Sequence, residues 1–284
     1  MAAAPDQGCP TQVANSVLTL PPMLRKTLVK IRPLFKDYVY CPSHGLAKGL
    51  KRRGGLGFLP RLTADTPEER FLTSLDLMGK TVFDIGAFEG VFTLFFAHKV
   101  GAEGQVITFE PNPFNYDKVL ENIALNGFEN VEVRQTALGE QAGELELSFR
   151  HSESGSGSLH PAIRAAITQE KSAYTVNVPV DTLDHQLQTA GLPKPDLIKI
   201  DVEGFEPNVL KGMEQTIQDC QPHLYLELHG AYLETARLQY ERELSAFLAK
   251  HHYTAFYIEE KRQLQPSTDG LPALGHLYCT ASKA

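Results

Sequence analysis

The sequence has few cysteines and no long apolar run. Its four cysteines are scattered, and no two of them form a CxxC pair, which argues against a zinc site or a disulfide framework. No apolar stretch approaches the about 18 residues of a membrane-spanning helix. The N-terminus lacks the basic-then-apolar order of a secretion signal. We therefore expect a cytoplasmic protein without a membrane span, kept in a reducing compartment.

Positive charge is also in deficit. The formal net charge is −7 at pH 7, and the pI is about 5.8. General nucleic-acid binders and proteins that bind anionic membranes show the opposite balance, so the sequence predicts neither partner.

Strands and helices alternate from about residue 80 onwards. The predicted strands are TVFDIG, QVITFE, VEVRQTAL, DLIKID, HLYLELH, YTAFYIEE and GHLYCTAS. Apolar helices such as GVFTLFFAHKV and PNVLKGMEQTIQ separate most of them. This order predicts an α/β fold with a doubly wound, mostly parallel, seven-stranded sheet and helices on both faces.

Two segments depart from the alternation. GELELSFR and YTVNVPV predict an inserted β-hairpin, and we expect the Ser- and Gly-rich segment between them to be an irregular loop rather than a lid. Residues 1–65 predict an N-terminal extension with a disordered start, a helix near residues 22–31 and a basic, glycine-rich loop. Residues 66–284 then form the main domain.

A glycine turn and a distant acid indicate a nucleoside ligand. Asp84, Gly86 and Gly90 follow the first predicted strand, and Glu110 ends the second. Ligands of this fold bind outside the carboxyl ends of the strands, where a carboxylate can accept hydrogen bonds from a ribose diol. Gly86 lets the backbone approach the ligand closely.

The spacing of the glycines restricts which nucleoside fits. Dinucleotide sites use GxGxxG, whereas this chain has DxGxxxG and no phosphate-binding GK[ST]. An acid beside the turn suits a cationic ligand without phosphates, and S-adenosylmethionine is such a ligand. A nicotinamide-dependent oxidoreductase is therefore the weaker alternative.

Ionisable residues lie toward the ends of two later strands. Lys199, Asp201 and Glu203 share one face of DLIKIDVE, and Glu227 and His229 share one face of LYLELH. Charges are rarely buried unless paired, so a structural pairing of Lys199 with Asp201 or Glu227 stays open. We favour a reactive cluster, because such groups gather at ligand-binding sheet edges.

Several segments resemble the FkbM-type methyltransferases. They are VFDIGAFEGVFTLFFA, ITFEPNPFNYDKVLENIALNG, VPVDTLD, DLIKIDVEGFEPNVLKGM and LYLELH, in the same order over roughly residues 66–260. The resemblance implies a class I (Rossmann-like) methyltransferase fold, S-adenosylmethionine as methyl donor and a hydroxyl acceptor on a sugar or natural product. A catalytically inactive binding or regulatory protein on the same fold is the alternative.

The resemblance and the residue patterns together predict the site. The predicted cofactor-binding residues are Asp84, Gly86, Ala87, Gly90, Glu110, Asn112, Thr136, Ala137 and Asp201. The predicted catalytic residues are His229, Asp201, Lys199 and Glu227, with His229 the first candidate for a general base because its usual pKa is near neutrality. Glu203 and Glu206 belong to the family signature without an assigned role. Ala137 cannot bind the adenine amine through its side chain, so backbone groups or another residue must do so.

Two further hypotheses concern ligands and partners. Asp201, Glu227 and His229 could hold Mg²⁺ or Mn²⁺, but their spacing is not diagnostic of a metal site, and a metal is not the favoured interpretation. A basic group precedes the first strand, either as a solvated face or as a clamp for an acidic or sugar-phosphate acceptor. It consists of Lys48, Lys51, Arg52, Arg53 and Arg61. A homo-oligomer stays open.

Overall fold

The computed structural model describes residues 32–281, except residues 60, 62, 151–152 and 171–172. The predicted disordered start and the predicted helix near residues 22–31 lie outside the described residues. The strands are β1 (Val39–Tyr40), β2 (Arg52–Arg53), β3 (Thr81–Ile85), β4 (Gln105–Phe109), β5 (Val131–Arg134), β6 (Ala137–Leu138), β7 (Gly143–Arg150), β8 (Glu153–Ser158), β9 (Ala173–Asp181), β10 (Leu197–Ile200), β11 (His223–Leu228), β12 (Tyr253–Tyr257), β13 (Arg262–Leu264) and β14 (Gly275–Ala281). The α-helices are α1 (Pro67–Ser74), α2 (Val91–Val100), α3 (Pro113–Asn126), α4 (Pro161–Thr168), α5 (Leu183–Ala190), α6 (Glu206–Lys211), α7 (Glu214–Cys220) and α8 (Arg237–Lys250).

The central sheet has the order β5-β4-β3-β10-β11-β14-β12-β13. Its first five strands are parallel to one another, and β14 lies antiparallel between β11 and β12. The predicted class I fold is confirmed, and all seven predicted strands contribute to this sheet. The eighth strand, β13, is a three-residue edge strand that is too short to show an apolar period.

Helices cover both faces of the sheet. On one face α1 and α2 pack against it through a cluster that includes Leu72, Phe92, Phe96 and Tyr225. The larger cluster on the other face joins the sheet to α6, α8 and the inserted strands. Because both faces are covered, every residue of β10 is buried, including Lys199, which is 1% exposed. None of the helices in the described part of the chain is long and apolar enough to cross a bilayer.

The inserted segment is a small structural unit. The predicted hairpin is confirmed, because β7 pairs antiparallel with β9. The prediction of an irregular loop between these strands was wrong for most of the segment, because the segment contains β8 and α4. β8 has the sequence ESGSGS, which has little intrinsic tendency to form a strand. It pairs with β7, and a Cβ atom at Gly157 would lie only 3.2 Å from the Cβ of Phe149. Close tertiary packing therefore overrides the local preference.

The single helix predicted from PNVLKGMEQTIQ is divided into α6 and α7. The break lies at Gly212, where a Cβ atom would be 1.9 Å from the carbonyl oxygen of Gly139. Only a glycine allows the two backbone segments to come this close. The contact is with the loop at Gly139, which is distant in sequence, so residues near Gly212 do not reveal it.

The described part of the N-terminal extension is fastened to α3. The backbone N–H of Lys51 donates to Asn126 Oδ1 and that of Arg53 donates to Asn122 Oδ1, both at 2.8 Å. The start of α1 is fixed by a capping box between Thr66 and Glu69. The boundary at residue 65 stays a prediction.

Candidate active site

The carboxyl ends of β3, β4, β10 and β11 meet at a cavity of about 990 Å³, here called the first cavity. It lies where ligands bind in open α/β sheets. Of the residues predicted from the sequence, those that line it are Gly86, Ala87, Glu110, Asn112, Thr136, Ala137, Lys199, Asp201 and Glu227. Asp84, Gly90 and His229 stand behind its wall.

Gly86 allows two chain segments to touch at the floor of the cavity. Its φ is +81°, and a Cβ atom at this position would lie 1.9 Å from the carbonyl oxygen of Asp201. No side chain fits there, so the glycine brings the turn after β3 into contact with the end of β10. Phe88 in the same turn also has a positive φ, +54°, which is uncommon for an aromatic residue and is typical of constrained functional loops.

Glu110 ties the end of β4 to this turn. Its Oε2 accepts the backbone N–H of Phe88 at 2.7 Å, and its Oε1 accepts that of Asn112 at 2.9 Å. The side chain is 5% exposed, and burial raises the pKa of Glu110 to about 7, although these hydrogen bonds and the charge of Lys199 lower it. Oε1 also accepts a hydrogen bond from Asn115 Nδ2 at 3.5 Å, whereas Oε2 keeps a lone pair for a second donor.

The raised pKa of Glu110 predicts pH-dependent cofactor binding. If Glu110 binds the ribose of the cofactor, as the sequence predicts, the ribose hydroxyls donate to the ionised carboxylate, and the affinity for S-adenosylhomocysteine should rise as the pH increases through about 7 and level off above it. Below this pKa the carboxyl must first lose a proton, and the affinity should fall by up to about tenfold per pH unit. Calorimetric titrations at pH 5.5, 7.0 and 8.5 measure this effect. In Glu110→Gln the slope should vanish, and an unchanged slope would show that another group titrates.

Asn112 and Thr136 are partly engaged by the fold. Asn112 is the N-cap of α3 and accepts the N–H of Phe114, while its buried Nδ2 has no hydrogen-bond partner in the described part of the chain. Thr136 donates to the carbonyl oxygen of Pro179, which links the cavity wall to β9. A ligand group could therefore pair with Asn112 Nδ2 at this wall.

Asp84 and Lys199 form a buried ion pair beneath the cavity. Lys199 Nζ lies 3.0 Å from Asp84 Oδ1 and 3.6 Å from Asp201 Oδ2, and it donates to the carbonyl oxygen of Gly86 at 2.8 Å. The other oxygen of Asp84 accepts from Thr93 at 2.7 Å. Burial lowers the pKa of Lys199, but Asp84 and Asp201 together raise it above its usual value. Of the two partners considered for Lys199, the structure places Asp201 within ion-pair distance and adds Asp84.

Gly90 has a packing role beside this pair. It begins α2 with a φ of +82°, and a Cβ atom there would lie 3.3 Å from Val119. The residue thus sets the distance between α2 and α3.

His229 lies in a nest of carboxylates. Its Nδ1 is 2.9 Å from Glu206 Oε1, and its Nε2 is 3.4 Å from Glu203, 3.8 Å from Asp201 and 3.9 Å from Glu227. Burial lowers the pKa of His229, but the charges of Glu206 and Glu203 outweigh it and raise this pKa well above its usual value. The carboxylates therefore favour the protonated form of His229. The choice of His229 as a base from the sequence had assumed a pKa near neutrality.

Asp201 and Glu227 carry opposite shifts. Burial raises the pKa of Asp201, but Lys199 and His229 lower it further, and the net value is below the usual one. Burial and the charge of Asp201 raise the pKa of Glu227 well above its usual range. Asp201 therefore favours its ionised form and Glu227 its protonated form at the cavity wall.

Glu206 acquires a role that the sequence did not indicate. It is fully buried, and its Oε1 accepts the backbone N–H groups of Val202 and Gly204 as well as facing His229. It therefore holds the turn after β10 in shape. Glu203 in that turn has a φ of +52° and lines the cavity.

The insertion supplies a wall that sequence reasoning missed. Leu147, Gly157 and Leu159 line the cavity, and Ser158 Oγ donates to the carbonyl oxygen of Glu203 at 2.7 Å. The α4 residue Ile163 packs against Gly204. The insertion thus covers the first cavity as a lid does. The available signal was the apolar alternation of GELELSFR, which gives β7 a face to bury.

A divalent ion has donors in this site. One donor atom from each of Asp201, Glu227 and His229 lies within 4.8 Å of the others, and these atom types suit Mg²⁺ or Mn²⁺. The ammonium of Lys199, 3.6 Å from Asp201, would repel such an ion.

The chain is similar in sequence to known methyltransferases. The chain is 30% identical over 157 residues to the methyltransferase sdnD of Sordaria araneosa, covering 47% of this chain and 60% of that protein, which is less than two thirds of its length. It is 26% identical over 189 residues to the hexuronic acid methyltransferase AglP of Haloferax volcanii, covering 64% and 70%. The crystal structure of methyltransferase FkbM from Methylobacillus flagellatus KT superposes with a TM-score of 0.48 at 16% identity, covering 73% of this chain and 45% of that one.

One match to a protein family includes the residues of the candidate site. The methyltransferase FkbM domain matches residues 84–255, which include the glycine turn, Glu110 and the ends of β10 and β11. This is more than half of the 284 residues. The chain belongs to the FkbM methyltransferase family.

Proposed function

We propose that this protein transfers a methyl group from S-adenosylmethionine to a hydroxyl oxygen of a sugar or another small natural product. One observation carries the proposal. The first cavity joins a nucleoside-type wall, formed by the turn at Gly86 and by Glu110, to the carboxyl groups of Asp201 and Glu227 at the ends of β10 and β11. The name of the archaeal relative, a hexuronic acid methyltransferase, supports a sugar acceptor.

The cavity wall fits the cofactor. The carboxylate of Glu110 suits the ribose diol, and the unpartnered Nδ2 of Asn112 in the described structure offers a further donor. Phe109, Ala137, Leu138 and Leu147 provide an apolar surface for a flat base. The bound cofactor would supply an activated methyl group on a sulfonium, so the protein mainly has to align the acceptor and exclude water.

The acceptor hydroxyl needs a group that takes its proton as the new O–C bond forms. A base must reach the acceptor, and Asp201 and Glu227 line the cavity, whereas His229 stands behind them with its Nε2 directed at three carboxylates. We therefore assign the base to Asp201, which takes the proton, while the Glu227 carboxyl hydrogen-bonds to it. His229 and Lys199 hold these carboxyls in place and balance their charge.

The alternatives account for less of the site. An oxidoreductase would need a pyrophosphate site, and the turn keeps the DxGxxxG spacing instead of GxGxxG. An inactive binding protein has no need for two neighbouring carboxyls with oppositely shifted pKa values at the cavity wall.

Transfer of labelled methyl from S-adenosylmethionine to a panel of sugars and phenols tests the proposal. We expect labelled ether products, binding of S-adenosylhomocysteine but not of NAD by calorimetry, and undiminished transfer after thorough chelation, since Lys199 disfavours a divalent ion. Binding of NAD instead would overturn the proposal. Loss of transfer on chelation, restored by Mg²⁺, would instead assign Asp201, Glu227 and His229 to a metal.

A further inference from the structure

A second cavity of about 920 Å³ lies between the N-terminal extension and the turn after β3 (residues 86–90). Its lining includes Tyr40, His44 and the glycine-rich loop at Gly55 and Gly57. The FkbM domain match begins at residue 84, so this wall lies outside it.

The second cavity adjoins the proposed reaction site. Val91 lines both cavities, and Glu89 of the turn after β3 lines the second. Glu68, also in its wall, is 3.5 Å from His276, which is 3.8 Å from Glu227 in the first cavity. A molecule in the second cavity would therefore lie near Glu227, with Glu68 and His276 between them.

Only part of the basic group predicted from the sequence faces this cavity. Arg52 and Arg61 line it, whereas Lys48, Lys51 and Arg53 are absent from the lining among the described residues. The alternation along β2 explains the difference, because Arg52 is 7% exposed while Arg53 points the other way, toward Glu121.

Arg52 has unused hydrogen-bonding capacity. A guanidinium has five N–H donors. In the described part of the chain Arg52 makes one side-chain hydrogen bond, from Nη2 to Glu89 Oε2 at 3.3 Å, while Glu89 Oε1 lies only 2.6 Å from Lys118. Arg61 differs, because three contacts of 2.7–2.9 Å join it to Glu69. A buried cation with so few partners suits an anionic ligand.

We propose that the second cavity binds the methyl acceptor and that Arg52 pairs with a carboxylate on it. This inference rests on the proposed function. A carboxylate accepts two parallel hydrogen bonds from a guanidinium. A phosphate dianion would be repelled more strongly by the acids already in the wall, which are Glu68, Glu69 and Glu89.

Matched probe pairs test this assignment. The probes are D-glucuronate with its methyl ester, and 3-hydroxybenzoate with its methyl ester, titrated against the full chain loaded with S-adenosylhomocysteine and followed by saturation-transfer NMR. We expect a carboxylate to bind about tenfold or more tightly than its ester in at least one pair. Arg52→Gln should abolish this preference, and Arg53→Gln, a neighbour of the same charge that faces away, should keep it.

Two results would overturn the assignment. One is the absence of a carboxylate preference in both pairs, and the other is a preference that persists in Arg52→Gln. Arg52→Lys keeps the charge without the planar fork and should give an intermediate ratio, which serves if Arg52→Gln fails to fold. The proposed function fails separately, because only its failure removes the binding of S-adenosylhomocysteine.

Discussion

Replacing Lys199 with methionine should lower the free energy of unfolding by about 3–5 kcal/mol. The substitution removes the ammonium that lies 3.0 Å from Asp84 and 3.6 Å from Asp201, and the fully buried carboxylate of Asp84 is then left without this cation. It also removes the cation–π contact with Phe92, at 4.7 Å from the ring centre. Urea-induced unfolding, followed by circular dichroism, measures the loss.

Lys80→Met is the matched control for this loss. Lys80 also pairs with an aspartate, Asp196, at 3.1 Å, but both side chains are close to half exposed. A surface pair contributes about 0–1 kcal/mol, so this control should remain near the wild type. Adding Asp84→Asn to Lys199→Met should recover part of the loss, because it removes one buried negative charge. Equal stability of the two lysine variants would refute the assigned role of the buried pair.

Asp201→Asn should reduce kcat by about 10²–10⁴-fold while the affinity for S-adenosylhomocysteine changes little. Asn keeps the shape of the side chain and cannot take the proton from the acceptor hydroxyl. Single-turnover measurements with labelled cofactor separate the chemical step from binding. The size of the effect follows from the position of Asp201 in the cavity wall, next to Glu227 and at the contact with Gly86.

Two variants bracket this result. Asp196→Asn changes an aspartate at the opposite end of β10, where its carboxylate binds the N–H of Thr81, and it should keep kcat. His229→Gln should lower kcat less than Asp201→Asn, because His229 acts through its neighbours. If His229→Gln abolished turnover and Asp201→Asn did not, the base would be His229, as first inferred from the sequence.

Local patterns carried most of the fold. The period of two in the strands and the apolar helices between them were sufficient for the class I sheet, because strand and helix periods are properties of consecutive residues. The three-residue strand β13 and the break at Gly212 were not predicted. A short edge strand shows no period, and the break depends on the carbonyl oxygen of Gly139. The strand β8 was not predicted because its Ser and Gly residues have little tendency to form a strand, and their pairing with β7 determines the conformation.

The candidate site was likewise predictable from the sequence only in part. The sequence by itself determined that Gly86, Glu110, Asp201 and Glu227 lie at strand ends that share one edge of the sheet. Only the tertiary structure decided that Asp84 serves Lys199 and that carboxylates surround His229 and raise its pKa. It also decided that Arg52, rather than Arg53, faces a cavity. The physical reason is that a charge is set by its neighbours in space, and here those neighbours come from segments far apart in the chain.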